Sequence, residues 1–339
     1  MINILQIIRE NKNFILAGHV GPDGDAIGSC FALALALEKM GKNAQVLLEP
    51  FAQKYQIIPG RHFLVPMKGT HSDEILHKNE TVFDLDEDLR PDVFIALDCA
   101  DSERLGAAFA IFRRAKITVC IDHHETNFGF AMHNYIEPTA SSASEMTLRL
   151  IEQLTEPTPD IAAAVYAGMV SDTGGFRYNA TSISTMKTAA QLMEMGIPFT
   201  QIYNELMHMH KFAAGKILGL ALENSKRTRS KKIVHTYVTR EMLKSVRANL
   251  SDLDGVVEYL MGTRKALVAI FVYEKGATTG EVKVSLRSQG PNMANVAAKL
   301  GGGGHALAAG ATVSGTVYRV LKKTIALVVK EVALYEAKK

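Results

Sequence analysis

The 339-residue sequence predicts an α/β protein with two domains, and two patterns support this fold class. Over roughly the first half of the chain, short apolar runs alternate with helical patterns, which is typical of a doubly wound, mostly parallel sheet. After Pro198 a long helical stretch leads into a second, smaller set of strand-like runs and a final helix. We therefore predict an N-terminal domain at residues 1–195, a helical linker at 196–224 and a smaller α/β domain at 225–339.

The elements of the first domain follow from continuous apolar runs and helix end signals. A helix, "AIGSCFALALALEKMGK", separates the first two strands and ends at Gly41. Ser142 and Glu145 have the spacing of a capping box, so another helix is expected to begin there. The predicted strands are "FILAGH" from Phe14, "NAQVLL" from Asn43, "DVFIALD" from Asp92 and "ITVCID" from Ile117.

The second part of the chain begins with the linker "FTQIYNELMHMHKFAAGKILGLALENS", which is helical in pattern throughout. A basic run, "SKRTRSKK" from Ser225, then precedes the strand-like segments "IVHTYVT", "ALVAIFVYE" and "EVKVSLRS". Such a charge run is most often a solvated surface, although it can also attract a polyanion. The last segment, "TVYRVLKKTIALVVKEVALYEAKK", has the pattern of an amphipathic helix.

Composition narrows the class of protein. The net charge is only +3, so nothing in the overall charge marks a nucleic-acid coat protein, although a local basic groove is still possible. Hydrophobic residues make up 47% of the chain, which is enough for two cores. No apolar run predicts a transmembrane helix, and the N-terminus lacks the pattern of a signal peptide. Three cysteines in apolar contexts, Cys30, Cys99 and Cys120, indicate a reducing compartment. We expect a cytoplasmic protein with no membrane partner.

Polar side chains follow several of the predicted apolar elements. The first strand leads into "GHVGPDGDAIGS", the third ends at Asp98, and the fourth runs into Asp122-His123-His124. A small-residue helix, "AAAVYAGMVSD", ends at Asp172. Because the carboxyl ends of parallel strands share one edge of a sheet, these side chains are expected to cluster there. The candidate residues are His19, Asp23, Asp25, Asp98, His123, His124 and Asp172.

The mixture of imidazoles and carboxylates suits Mn²⁺ or a similar divalent ion, since no thiolate favours a structural zinc. Two ions that share a carboxylate, roughly 3.5–4 Å apart, can hold a hydroxide and attack a phosphorus atom in line. The simpler interpretation is a set of helix caps and turn formers. That interpretation does not explain why histidines and acids recur together at four element ends.

These motifs resemble those of the DHH phosphoesterase superfamily. The series "GHVGPDGDAIGS", "ALDCAD", "IDHHETN" and "SDTGGFRY" occurs in the family order, and "GGGGHALAAG", at 301–310, is similar to the glycine-rich signature of the DHHA-type domain. The chain most resembles the stand-alone bacterial nanoRNase/pAp phosphatase group, whose members have a DHH domain, a linker and a DHHA domain. The resemblance implies an active site in the cleft between the two domains.

The resemblance also implies a role for each candidate residue. His19, Asp23 and Asp98 would hold one metal ion. The second ion would be held by Asp25, Asp98, His123 and Asp172, with Asp98 bridging and essential for catalysis. His124 would contact the scissile phosphate and protonate the leaving oxygen, while Asp122 would be a supporting residue. The cofactor would be two divalent ions, with Mn²⁺ preferred and Mg²⁺ or Co²⁺ as substitutes.

In the second domain the resemblance implies substrate binding. Backbone N–H groups of a glycine-rich loop can approach a phosphate closely. Arg287 matches an arginine that reaches a substrate phosphate in the family, and Ser288 is its neighbour. The implied substrate-binding residues are His124, Arg287, Ser288, Gly302, Gly303, Gly304 and His305.

The implied activity is hydrolysis of short oligoribonucleotides, of dinucleotides such as pApA and of 3′-phosphoadenosine 5′-phosphate to mononucleotides. Alternatives are a phosphodiesterase for dinucleotides derived from cyclic dinucleotides or for other small phosphate esters, and a non-catalytic nucleotide-binding protein. A family II pyrophosphatase would carry a Ser-Arg-Lys signature, whereas this chain has Thr263-Arg264-Lys265 in another setting. The expected partners are short RNAs and small nucleotides, and formation of a homodimer stays open.

The remaining histidines carry no motif. His208 and His210 are interpreted as linker positions, because their alternate spacing does not suit one face of a helix. Structural or surface roles are expected for His62, His71, His77, His133 and His235.

Overall fold

The structure, a computed structural model, describes residues 1–68, 82–84, 90–275 and 280–338. The chain divides into two compact units, residues 1–209 and 210–339. His71 and His77 lie outside the described residues. Among the described residues, no helix combines the length and the apolar character needed to cross a bilayer.

The N-terminal unit is built on a five-stranded parallel sheet with the strand order β2-β1-β5-β6-β7. Strand β1 lies between β2 and β5, so the order of the strands reverses at β1 and creates a switch point where α/β proteins bind ligands. The prediction of a doubly wound parallel sheet is thereby confirmed. The strands of this unit, including the separate β3–β4 pair, are β1 Asn13–Ala17, β2 Asn43–Leu47, β3 Met67–Lys68, β4 Val82–Phe83, β5 Val93–Leu97, β6 Ile117–Asp122 and β7 His133–Ile136.

Helices cover the sheet and bury two apolar cores. Helix α2 begins where the Asp23 side chain accepts hydrogen bonds from the backbone amides of Asp25 and Ala26, and the chain leaves it through Gly41 at φ 71°. The helices are α1 Ile2–Glu10, α2 Gly24–Lys39, α3 Phe109–Phe112, α4 Ala143–Ile151, α5 Pro159–Asp172, α6 Ile183–Glu194 and α7 Phe199–Met207, with 3-10 turns at Gln53–Ile57, Arg61–Phe63 and Glu103–Ala108.

Helices α2 and α5 approach each other closely through two glycines. A Cβ atom at Gly28 of α2 would lie 2.6 Å from the carbonyl oxygen of Ala164 in α5. One at Gly168 of α5 would lie 2.9 Å from the Asp25 Oδ1 atom of α2, and 1.9 Å from the Ser144 Oγ atom of α4. Since neither position has room for a side chain, the two helix axes come closer than larger residues would permit. This contact brings the first turn of α2, which carries Asp25, next to the C-terminal half of α5.

The segment predicted as one helical linker forms two helices. Helix α7 ends at Met207, and α8 begins only at Phe212, after Lys211 adopts an extended backbone at φ −63° and ψ 145°. The amides of His208 and Met209 both donate to the carbonyl of Asn204, which closes α7. The pattern was helical throughout, but the residues at 208–211 leave the helix.

The C-terminal unit contains a mixed six-stranded sheet with the order β12-β13-β11-β10-β9-β8, which confirms the predicted smaller α/β domain. Strands β9 and β10 pair in parallel, and the other described pairs are antiparallel. The strands are β8 Lys226–Arg227, β9 Ile233–Val238, β10 Val268–Glu274, β11 Glu281–Ser288, β12 Gly303–Gly304 and β13 Ala308–Ser314. The helices are α8 Phe212–Glu223, α9 Arg240–Ser245, α10 Val256–Met261, α11 Met293–Ala298 and α12 Val317–Glu336, with a 3-10 turn at Leu250–Leu253.

Candidate metal centre

The carboxyl edge of the first sheet gathers the candidate ligands. Strand β1 is followed by His19, β5 by Asp98, and β6 by His123, while α5 ends at Asp172. Because β1, β5 and β6 are parallel neighbours, these side chains meet at one edge, at the switch point beside β1. Three groups of three potential ligand atoms form there. One is Asp98 with His123 and His124, and the other two are His19 with Asp23 and Asp98, and Asp25 with His123 and Asp172.

The two oxygens of the Asp98 carboxylate face the two groups separately. Its Oδ2 atom lies 3.6 Å from the His19 Nε2 atom, and its Oδ1 atom lies 3.5 Å from the His123 Nε2 atom. On the first side, the Asp23 Oδ2 atom lies 3.8 Å from the His19 Nε2 atom. On the second side, the His123 Nε2 atom lies 3.4 Å from Asp172 Oδ2. The geometry is therefore that of one carboxylate between two sets of ligand atoms.

Both histidine rings are oriented by backbone carbonyls. The Nδ1 atom of His19 lies 3.0 Å from the carbonyl oxygen of Val20, and that of His123 lies 3.3 Å from the carbonyl oxygen of Ala140. A proton on Nδ1 is thereby favoured, since it can be donated to the carbonyl. The lone pair on Nε2 is then directed towards the carboxylates, as in metal-binding histidines.

Asp25 is fully buried and is held by the N-terminus of α4. Its Oδ2 atom accepts a hydrogen bond of 2.6 Å from the amide of Ala143, and its Oδ1 atom accepts one of 2.9 Å from the amide of Ser144. The predicted helix start at Ser142 is confirmed, because the Ser142 Oγ atom accepts the amide of Glu145. The Glu145 carboxylate bonds to Ser141 rather than completing the capping box.

Asp23 is both a helix cap and a candidate metal ligand. Its Oδ1 atom accepts the amides of Asp25 at 2.9 Å and Ala26 at 3.2 Å, as a helix N-cap does. Its other oxygen faces His19. The capping role and the ligand role therefore use different atoms of the same carboxylate.

Asp98 has an unusual backbone conformation. Its φ angle is +56°, in the left-handed region that residues other than glycine seldom occupy. Its amide donates a hydrogen bond of 3.0 Å to the carbonyl of Ile121 in the neighbouring strand. Strain of this kind is held in place by the surrounding structure and is concentrated at functional sites.

Mutual interactions shift the pKa values of the cluster. Burial lowers the pKa of the two metal-facing histidines, but the adjacent carboxylates outweigh burial and raise the pKa of His19 and of His123 to about 10. Burial raises the pKa of Asp98, but His123 and His19 outweigh it and hold this pKa below its usual range. Burial, aided by Asp98, raises the pKa of Asp172 to about 6. Protons on the imidazoles thus balance the carboxylate charge in the metal-free protein.

The residues fit a pair of divalent cations. The Oδ1 atom of Asp98 is a buried carboxylate oxygen without a hydrogen-bond partner among the described residues, and such an atom is costly unless a cation binds it. The surrounding donors are carboxylate oxygens and imidazole nitrogens, which suit Mn²⁺ and related ions.

His124 differs from His123 in its partners. Its Nδ1 atom donates a hydrogen bond of 2.7 Å to Asp122 Oδ1, and Asp122 is fully buried. The Nε2 atom has no hydrogen-bond partner among the described residues, and the ring is about 40% exposed. Asp122 therefore orients the imidazole, and this carboxylate raises the pKa of His124 against the effect of burial.

Asn127 supports this pair and was not singled out from the sequence. Its Nδ2 atom donates 2.7 Å to Asp122 Oδ2 and 3.0 Å to the carbonyl of Cys99, the residue after Asp98. The Asn127 side chain therefore connects Asp122, which orients His124, to the loop that carries Asp98. The one sequence signal for this supporting role is the position of Asn127 in the motif, three residues after His124.

In the C-terminal unit, Arg287 and Ser288 point to opposite faces of β11. Val282, Val284 and Leu286 are buried in the core, and Ser288 is on the same face, with its Oγ atom accepting the amide of Gly290. Arg287 lies on the other face, where its Nη2 atom is 2.7 Å from the Glu258 Oε1 atom. The two residues that were both predicted to bind substrate thus point in different directions, and Arg287 has a partner that the sequence did not indicate.

The glycine-rich segment forms the edge of the same sheet. Gly303 and Gly304 make the short strand β12, and the chain turns at His305, whose amide donates to the carbonyl of Ala308. A Cβ atom at Gly302 would lie 2.1 Å from the carbonyl of Gly310, so only glycine permits this approach of the two strands. His305 is exposed at the turn.

Two family models match the chain. The model described as "DHH family, N-terminal domain" matches residues 13–169, and the model described as "DHHA1 domain" matches residues 230–332. The first match includes every candidate metal ligand except Asp172. The second includes Arg287 and the glycine-rich segment.

Among relatives, a Thermus thermophilus protein named bifunctional oligoribonuclease and PAP phosphatase NrnA is 31% identical over 304 residues, covering 88% of this chain and 84% of the relative. A Bacillus subtilis protein of the same name is 25% identical, with 91% and 92% of the two chains covered. The matched stretches therefore cover most of this chain and most of each relative.

Solved structures share the fold. An exopolyphosphatase-related protein from Bacteroides fragilis superimposes with a TM-score of 0.85 at 24% identity, over 98% of this chain and 96% of that one. The exonuclease RecJ bound to manganese gives a TM-score of 0.53 at 12% identity, over 98% and 94% of the two chains.

Proposed function

This chain belongs to the DHH phosphoesterases that carry a DHHA1 domain, close to the NrnA group, and on that basis we propose that it hydrolyses short oligoribonucleotides. Dinucleotides such as pApA and 3′-phosphoadenosine 5′-phosphate are the further substrates of the proposal, and mononucleotides are the products. The observation that carries it is the Asp98 carboxylate, whose two oxygens face two sets of ligand atoms in a chain related to NrnA proteins over nearly its whole length.

The proposal assigns two divalent ions to the cluster. His19, Asp23 and Asp98 would hold one ion, and Asp25, Asp98, His123 and Asp172 would hold the other. Mn²⁺ is proposed as the preferred ion, with Mg²⁺ or Co²⁺ as substitutes, because the donor set combines imidazoles with carboxylates and has no thiolate. When bound, such ions lower the pKa of water and neutralise charge on a phosphoryl group.

His124 is proposed as the general acid. Asp122 keeps the proton on Nδ1 and favours the charged imidazolium, so the Nε2–H group can donate to the oxygen that leaves phosphorus. The hydrogen bond also fixes the ring, so that its exposed edge is presented in one orientation. Asp122 is a positioning residue in this scheme, and Asn127 positions Asp122.

The C-terminal domain is proposed to bind the nucleotide. Arg287 offers a forked set of N–H donors for a phosphate, and the glycine-rich segment offers backbone N–H groups. His305 is exposed beside that segment. Ser288 is not part of this proposal, because its hydroxyl is buried against the Gly290 amide.

A turnover comparison tests the proposal. The purified chain, loaded with Mn²⁺, is given pApA, 3′-phosphoadenosine 5′-phosphate, an RNA pentanucleotide, a long RNA and pyrophosphate, and products are separated by chromatography. The proposal expects mononucleotides from the first three and little product from the last two. Preferential hydrolysis of pyrophosphate or of long RNA would contradict it, and binding of nucleotides without turnover would favour the non-catalytic alternative.

A further inference from the structure

The basic run noted in the sequence forms an ordered hairpin in the C-terminal unit. Strand β8 pairs with β9 through Lys226 opposite His235 and Arg227 opposite Val234. The turn between them is closed by hydrogen bonds from the Lys231 amide to the Thr228 carbonyl and from the Thr228 amide to the Ile233 carbonyl. The hairpin backbone therefore holds the residues that carry these cations at one end of a sheet.

A second pair of cations joins the hairpin at that end. The amides of Leu267 and Val268, which lead into β10, both donate to the carbonyl of Lys232, at 2.7 and 3.1 Å. The exposed turn just before them carries Arg264 and Lys265. We call the set formed by both segments the basic edge; its members are Lys226, Arg227, Arg229, Lys231, Lys232, Arg264 and Lys265.

Strand register places the basic edge at the same end of the sheet as the predicted phosphate-binding residues. Val268, the first residue of β10, pairs with Ile233 at the start of β9 and with Ser288 at the end of β11. Arg287 in turn pairs with Ala308 at the start of β13, beside the glycine-rich segment. From β13 to β8 is four strand spacings, or about 19 Å. One end of the sheet thus carries the glycine-rich segment, Arg287 and then the basic edge.

Most of this positive charge is unpaired. Lys232 forms an ion pair with Glu336 of α12, and Arg287, next to the edge, pairs with Glu258. The other six members of the basic edge form no ion pair with an acid of the described residues. The pKa of the nearby His235 is lowered by burial and by the charge of Lys226, which agrees with a positive potential at this place.

We infer that the basic edge binds the phosphate backbone of an RNA strand that continues beyond the nucleotides held at Arg287 and the glycine-rich segment. The partner is thus a single-stranded oligoribonucleotide longer than a dinucleotide, bound through its phosphates and without base specificity. Fixed cations in line with a phosphate site attract and align such a strand, whereas a dinucleotide is too short to reach them. This inference rests on the proposed function, since it extends the proposed RNA site.

The experiment compares two triple variants of the full-length protein with equal changes of charge. Arg227→Gln/Arg229→Gln/Lys231→Gln removes three of the five cations of the hairpin. The control, Arg319→Gln/Lys322→Gln/Lys323→Gln, removes three exposed cations near the start of α12, which follows Gly315 at the opposite end of the sheet. For each protein, kcat/KM is measured with pApA and with an RNA pentanucleotide across a series of salt concentrations. Binding of a fluorescent pentanucleotide is measured by anisotropy in EDTA.

The hairpin variant is expected to lose at least tenfold in kcat/KM and in affinity for the pentanucleotide at low salt, and less than twofold with pApA. If all three cations contact phosphates, the slope of log affinity against log salt becomes shallower by about two. Arg264→Gln/Lys265→Gln is expected to have a smaller effect in the same direction. Because these two residues lie outside the hairpin, this variant tests the basic edge even if the hairpin variant misfolds.

Three results would overturn the inference: unchanged handling of the pentanucleotide, equal losses for both substrate lengths, or an equal loss in the control variant. Binding of vesicles containing phosphatidylserine in place of RNA would overturn it as well. A wild-type protein that hydrolyses neither substrate would refute the proposed function, and the binding measurement in EDTA would still decide the role of the basic edge.

Discussion

At the scale of single residues, Asp98 decides whether two cation sites exist. Its two oxygens face separate histidines, so Asp98→Asn is expected to abolish turnover and remove most bound metal while the fold persists. Metal content by mass spectrometry, turnover of pApA and circular dichroism provide the test. The matched control is Asp101→Asn, because Asp101 is exposed and, within the part of the chain that the structure describes, its side chain accepts only the Arg104 amide. Near-normal hydrolysis by Asp98→Asn would exclude the two-metal assignment.

Substitutions of the two adjacent histidines are expected to have different effects. His123→Ala should lose metal, since the Nε2 atom of His123 faces Asp98 and Asp172. His124→Ala should keep its metal but lose a factor of roughly 10² to 10⁴ in kcat, the usual contribution of general acid–base catalysis. Metal content and kcat are measured for both variants. Equal metal loss in the two would show that His124 is a ligand rather than an acid.

The histidine pKa values predict how pH affects metal binding. In the metal-free protein the pKa values of His19 and His123 are raised to about 10, so these protons stabilise the metal-free fold below the ordinary histidine value. That stabilisation is lost as pH rises towards 10, whereas a metal must displace the same protons and binds better at higher pH. The difference in Tm between Mn²⁺-loaded and EDTA-treated protein should therefore grow from pH 6 to pH 9. A Tm difference that does not change with pH would contradict the raised pKa values of the two histidines.

At the scale of elements, the contact between α2 and α5 positions Asp25. Gly168→Ala would place a Cβ atom 1.9 Å from Ser144 Oγ and 2.9 Å from Asp25 Oδ1. We expect a loss of about 1–3 kcal/mol in the free energy of unfolding, the usual cost of overpacking, together with weaker metal binding. Denaturant unfolding and metal titration measure the two effects.

The control for that substitution is Gly219→Ala in α8. This exposed helical glycine has no atom within 4 Å of the Cβ position. Alanine there should stabilise the protein by about 0.4–1 kcal/mol, because it reduces the entropy of the unfolded chain. If Gly168→Ala were also neutral or stabilising, the close packing of α5 against α2 and α4 around Gly168 would not be needed.

Elements with strong local signals could be predicted from the sequence. The apolar runs at β1, β2, β5 and β6 and the cap at Ser142 are local patterns, and each appears in the structure. Strand β7 was missed because "HNYI" is short and only partly buried, so neither alternation nor a continuous apolar run marks it. The break between α7 and α8 was missed because no proline or glycine lies within 208–211.

The candidate site was predictable in its composition but not in its supporting contacts. Strand ends in a parallel sheet determine which candidate side chains meet, and the order of the motifs had named these candidates. The pairing of Arg287 with Glu258 and the bonds of Asn127 to Asp122 and Cys99 join residues far apart or unmarked in the chain. Such contacts depend on packing, which no local pattern records. The opposite directions of Arg287 and Ser288, in contrast, follow from strand alternation.

At the scale of the whole molecule, the proposed function assigns metal binding to one unit and most of the nucleotide binding to the other. All seven candidate ligand and acid residues lie within residues 1–209, and Arg287 and the glycine-rich segment lie within 210–339. A chain ending at Met209 should therefore bind metal but lose efficient turnover of pApA, with KM rising more than metal affinity falls. Steady-state kinetics and metal titration test this. Full activity in a folded truncated protein would remove the C-terminal domain from the proposed mechanism.

The ligands also come from widely separated parts of the chain, between His19 and Asp172. During synthesis His19 leaves the ribosome long before Asp172, and the cluster exists only after β1, β5, β6 and α5 have assembled. Ions held by these residues would therefore bind the finished domain and not its precursors, and they would stabilise it by mass action. In a cell depleted of the metal, the folded domain would unfold more often and would be degraded by proteases. The amount of the protein, and not only its activity, should then follow the supply of the metal.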